Sequence, residues 1–150
     1  IRRCLEKERL LENTIVTCFK AGSVHSREHF AGPIPSKLDH IVVRQYKHYK
    51  SGSIFISSAA GNNCFKIRGK MGLVRNVLCT SSNDTLIVYS EFVKLDTFYS
   101  FPCDSTRFNV YFANYVSEEL QCVYVSEVER KFVIMPFKDG FVIVPQLHQD

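Results

Sequence analysis

Thr85-Leu86-Ile87-Val88-Tyr89 and Phe132-Val133-Ile134-Met135 are the two stretches whose reading decides the fold. Both are uncharged, rich in β-branched and aromatic residues, and too short for helices. Neither alternates with polar residues, so each reads as a strand covered on both faces rather than one with a wet side. Outward from these runs the chain divides at clusters of turn formers: Lys50-Ser51-Gly52, Ala60-Gly61-Asn62-Asn63, Gly69-Lys70-Met71-Gly72, Ser81-Ser82-Asn83-Asp84 and Lys138-Asp139-Gly140. These residues accept left-handed or turn backbone, and they recur at spacings of roughly ten, as in barrels and sandwiches.

About eight strands result: His40 to Tyr49, Ser53 to Ser57, Cys64 to Arg68, Leu73 to Cys79, Thr85 to Phe92, Arg107 to Ala113, Gln121 to Val125 with a segment running on to Met135, and Gly140 to Val144. Val116 to Leu120 and Val125 to Lys131 read as short helical turns, with Ser117 and Ser126 as caps. After Asp39 no segment is long enough for the crossover helices of a doubly wound α/β fold. Before it, Arg2 to Asn13 is made of good helix formers and predicts one helix, and Thr14 to Lys20 predicts a short extended piece. Ala21 to Asp39, centred on Gly32-Pro33-Ile34-Pro35, reads as a loop or linker. The expected architecture is therefore mainly β: a small barrel-like or sandwich domain of short antiparallel strands at 40–150, a linker at 21–39 and an N-terminal helix within 1–20, all in one folded unit.

The net charge of +4 is unevenly distributed. Residues 1–75 carry fourteen Lys or Arg against five acids, and residues 76–150 carry five against ten. Either the halves pair within the fold, or the first half presents a basic face to an acidic partner. Arg44, Tyr46, Lys47 and Lys50 interleave charge with rings, and Lys66, Arg68, Lys70 and Arg75 follow in the next strands and turn. These eight are the candidate partner-binding residues. On an ideal strand Arg44, Tyr46, His48 and Lys50 share one face. Such a face suits an acidic protein, or phosphates and stacked bases.

No Gly-rich phosphate loop, nucleophile elbow, His-Glu-x-x-His or carboxylate pair is present, so the expectation is a module without catalysis or cofactor. Cys103, in the polar turn Phe101 to Thr106, lacks a nucleophile signature around it. Cys4, Cys18, His25 and His29 offer half of a zinc-finger spacing, but thirteen residues separate the two cysteines, whereas structural zinc sites pair them closely. Cys64, Cys79 and Cys122 lie in strand-like runs, where cysteine acts as a small hydrophobe. Reduced thiols fit an intracellular chain; paired cysteines and a sugar on Asn83 of Asn83-Asp84-Thr85 would mark a secreted one. No apolar run is long enough to span a bilayer, so no membrane partner is expected. A start at Ile1 rather than Met suggests a fragment or a processed piece.

From Gly72 onward the pieces Gly72 to Val77, Thr85 to Phe92, Thr97 to Ser100 and Val123 to Met135 occur in an order that resembles a bromo-adjacent homology (BAH) domain over about half the chain. Phe98 to Ser105 and Val144 to His148 also resemble β-rich C-terminal segments of transposon-derived proteins. Either resemblance implies a nuclear module that contacts chromatin or another protein, without cofactor or reaction. Tyr89, Phe92, Phe98 and Tyr99 are the rings available for a cation cage in such a module, although the chain has no Trp and burial in a core is the commoner fate of such rings. The expected function is a nuclear, chromatin-associated protein-binding domain. The alternatives are a nucleic-acid-binding part of a transposase-like or regulatory protein, and an extracellular β-domain.

Overall fold

The computed structural model describes residues 23–147. The N-terminal helix expected within 1–20 lies outside them. Eleven antiparallel strands form one sheet: β1 Ser23–His29, β2 Val42–Ser51, β3 Ile54–Ser57, β4 Cys64–Ile67, β5 Lys70–Thr80, β6 Thr85–Glu91, β7 Asp96–Thr97, β8 Tyr111–Ala113, β9 Gln121–Tyr124, β10 Val128–Phe137 and β11 Gly140–Pro145. Short 3-10 turns occupy Ser36–Leu38, Ser105–Phe108 and Val125–Glu127. The chain is mainly β, and among the described residues no helix is long and apolar enough to cross a membrane.

The run at Thr85 to Tyr89 is covered on both faces, as its pattern placed it. Phe132 to Met135 is not: Phe132 is buried while Val133 and Met135 are 37% and 46% exposed, so β10 keeps one open face. Leu86 and Val88 of β6 join Leu78 of β5 in one apolar cluster, while Ile87 and Tyr89 join Val77 and Cys79 in another on the opposite face. With a period of two, consecutive apolar residues must fill two cores, as Val77-Leu78-Cys79 and Leu86-Ile87-Val88-Tyr89 do. A third cluster, around Phe132, Ile143 and Leu73, fastens β10 and β11 to the β4–β5 hairpin.

Four further expectations need correction. The pairings do not close a ring among the described residues. β5 is eleven residues long, so β4 pairs with its first half and β2 with its second along one edge, and the sheet forks there instead of curling shut into a barrel. The span 21–39 is not simply a loop: Ser23–His29 pairs with β2 along its length, since Val24-His25-Ser26 can alternate despite its polarity. Further on, Ile34 and Leu38 cover the outer face of β5 and β6. Val116 to Leu120 forms no helical turn, and helical backbone near 125–131 is confined to Val125–Glu127. The turn read at 69–72 is tighter than expected: Arg68 and Gly69, both in left-handed backbone, make it, and Lys70 already begins β5.

Candidate interaction surface

β1, β2 and β3 make a three-stranded tongue at one end of the sheet, because β3 continues along the edge of β2 that β5 leaves unpaired. One cross-strand row on the tongue is Val24, Lys50 and Phe55, and the next is Ser26, His48 and Ser57. Val24 and Phe55 are 41% and 40% exposed, an open apolar pair flanking a cation. The Phe55 and His48 rings touch at a centroid distance of 5.1 Å. Arg27, in left-handed backbone at φ 57°, and Lys47 are both exposed and lie close enough to His48 to act on it. Burial first, and then these two cations, hold the His48 imidazole below its ordinary pKa. His48 is thus neutral at pH 7, and the tongue draws its charge from Arg27, Lys47 and Lys50. None of the three is ion-paired among the described residues.

The underside of the tongue is core. His25 packs its ring 5.0 Å from Tyr46 and 5.1 Å from Tyr49, and its Nε2 is 2.8 Å from Thr85 Oγ1. A ring held in this way is a core histidine, and the described residues contain no group of metal-ligating side chains. Cys4 and Cys18 of the zinc-like spacing lie outside the described residues.

The eight candidates from the sequence do not share one face. Tyr46 is 1% exposed. It is buried together with Tyr49, three residues on, so strict alternation fails along β2 and the expected Arg44, Tyr46, His48 and Lys50 face does not exist. Arg44 reaches Glu28 at 3.5 Å across β1 and β2. Arg68 pairs with Glu127 at 2.9 Å and Lys70 with Glu91 at 3.8 Å. These last two join the basic first half of the chain to its acidic second half. Lys66 stands opposite Arg130 on β10. Arg75 is the extra residue of a bulge between β5 and β6, and its Nε donates to Ser90 Oγ at 3.3 Å. Lys47 and Lys50 remain on the tongue. Arg27, Val24 and Phe55 join them there without having been singled out. Phe55 carried a signal, since an apolar residue between Ile54 and Ile56 must face the other side. Arg27 carried none, because its outward turn depends on an uncommon backbone angle.

The rings considered for a cage are also dispersed. Tyr89 and Phe92 are buried in different clusters. Phe98 and Tyr99 are partly exposed and meet each other edge-on, and Phe98 meets Phe137 edge-on at 5.2 Å, beside an open groove of about 450 Å³. Lys138 already places its ammonium 5.5 Å from the centre of the Phe137 ring.

Cys64, Cys79, Cys103 and Cys122 stand outside any disulfide, the first two buried. Burial pushes the Cys64 thiol up to about 12 and raises that of Cys122. Since the thiolate is the reactive form, Cys64 at pH 8 will carry about a thousandfold less of it than an ordinary cysteine. Mass-resolved alkylation of the folded protein will therefore leave Cys64 unlabelled until denaturant is added. Labelling at the rate of an unfolded thiol would mean that the β4–β5 core opens readily.

No curated protein and no solved structure matches the chain. A family model described as a domain of unknown function, DUF8592, matches residues 28–146, which spans β2 to β11 entire and the end of β1, and the chain belongs to that family.

Proposed function

We propose that this domain is a non-enzymatic interaction module that binds an acidic protein segment through the tongue. The observation that carries this reading is the juxtaposition of three cations with no acidic partner among the described residues, Arg27, Lys47 and Lys50, with the exposed Val24 and Phe55 side chains on the same three strands. Interfaces combine an apolar anchor with complementary charge, and cations satisfied by the domain's own glutamates contribute little to that. A chromatin-associated, nuclear setting is supported by the BAH-like order of motifs between Gly72 and Met135.

The test is a fluorescence-anisotropy titration of two probes, a glutamate-rich peptide containing a leucine and a single-stranded thymidine oligonucleotide, at low and physiological salt. The Lys47→Glu/Lys50→Glu double variant is expected to weaken the peptide at least tenfold while unfolding at the same temperature as the parent, because both side chains are exposed. Unchanged peptide binding would overturn the reading. Tighter oligonucleotide binding, with a log-log salt slope of about −0.7 per neutralised phosphate, would assign the tongue to nucleic acid instead.

A further inference from the structure

Arg75 differs from Arg68 and Lys70 of the β4–β5 hairpin. Arg68 and Lys70 each meet a glutamate, whereas among the described residues Arg75 meets only the neutral Ser90 hydroxyl. Its position is set by the bulge, where the register between β5 and β6 shifts between Val74 and Asn76. Bulges re-aim a side chain out of the regular pleat. Arg75 lines a cavity of about 300 Å³ whose other walls include Leu73, Ile134, Pro136 and Phe141, with the turn at Gly61 beside them. Gly61 has left-handed backbone and nothing within 4 Å of where a Cβ would stand, so that side is open. The volume is at the small end of the range for ligand pockets and suits one large apolar side chain.

We infer that this cavity is a second docking pocket, which takes an apolar side chain while Arg75 binds a carboxylate next to it on the same peptide. The guanidinium has five N–H donors in a planar fork, and the Ser90 contact uses only the Nε donor, so the remaining edge is available for a paired contact to a carboxylate. A neutral peptide would leave that charge without a partner, and an acidic peptide with no apolar residue would leave Ile134, Pro136 and Phe141 facing water. The two halves of the site together select an acidic segment with an apolar anchor. This inference deepens the reading of the domain as a binder of acidic protein segments and rests on it.

The test is a methyl and guanidinium NMR titration of the whole chain with an acetylated Gly-Leu-Phe-Asp-Glu-Gly peptide. Two control peptides carry Asn-Gln in place of Asp-Glu, or Ala-Ala in place of Leu-Phe. Saturable shifts are expected at the Leu73 and Ile134 methyls and at the Arg75 Nε–H, and both controls are expected to bind at least tenfold more weakly. Arg75→Gln is expected to lose the pocket shifts while any shifts at Val24 and Phe55 persist, and Arg75→Lys to retain part of the pocket shifts. Equal binding of the amide control, or no change in Arg75→Gln, would overturn the inference. Shifts confined to Val24 and Phe55 would overturn the pocket and leave the tongue standing; no binding of the acidic peptide at either surface would remove both.

Discussion

Gly140→Ala will destabilise the domain by about 3 kcal/mol or more, a loss of roughly 6–12 °C in melting temperature for a chain of this size. Gly140 opens β11, and a Cβ there would stand 2.5 Å from the Ala113 carbonyl oxygen, 2.8 Å from Phe112 Cζ and 2.9 Å from Asn114 Cβ. The first contact is with backbone, so no rotamer change relieves it. β8 would have to leave β11, although it is tied there by the pairs Phe141 with Ala113, Val142 with Phe112 and Ile143 with Tyr111. Gly52 is the control. It has φ 56° and open space around its Cβ position, so Gly52→Ala costs only the left-handed strain of about 1 kcal/mol. Thermal unfolding of both variants decides the matter: a Gly140→Ala loss no greater than that of Gly52→Ala would mean that β8 is loosely held.

The fold class was legible because burial on both faces writes itself into composition. β5 and β6 could hardly be read as anything but central strands, and their apolar runs map residue by residue onto two opposite cores. What alternation could not convey was the branching of the sheet, which depends on how the length of β5 is shared between β2 and β4. β1 was missed because Ser23 to His29 is polar, and its hold on β2 comes from backbone pairing and from one histidine buried between two tyrosines. The candidate surface was legible at Lys47 and Lys50 and misread at Tyr46. Charge in a sequence does not show which cations meet their own carboxylates, and that distinction removed Arg44, Arg68 and Lys70 from the free basic set.

The second large effect is expected at Asn76, whose amide is fully buried among apolar side chains. Its Nδ2 donates to Gln45 Oε1 at 2.8 Å and to the Pro33 carbonyl at 3.1 Å, and its Oδ1 accepts from the Val77 amide at 3.0 Å. Gln45 Oε1 accepts in addition from the Gly32 amide at 3.0 Å. One amide thus ties the 30–35 segment to β2 at the base of the tongue. Gly32 is required by the same arrangement, since a Cβ there would stand 2.4 Å from Asn76 Nδ2. Asn76→Ala leaves the buried Val77 amide short of a partner, at about 1–3 kcal/mol, and cuts the part-buried bonds to Gln45 and Pro33, so the expected loss is about 3 kcal/mol. Asn76→Asp is expected to lose at least as much, because it removes the donor and buries a charge. Hydrogen exchange locates the damage: protection should fall first in 30–35 and along β2, with β10 and β11 unaffected at low denaturant. If protection falls evenly across the sheet, Asn76 is a general core residue and not the anchor of the tongue. If it falls locally and the acidic peptide is lost with it, the tongue's binding depends on a polar contact in the core that touches no ligand.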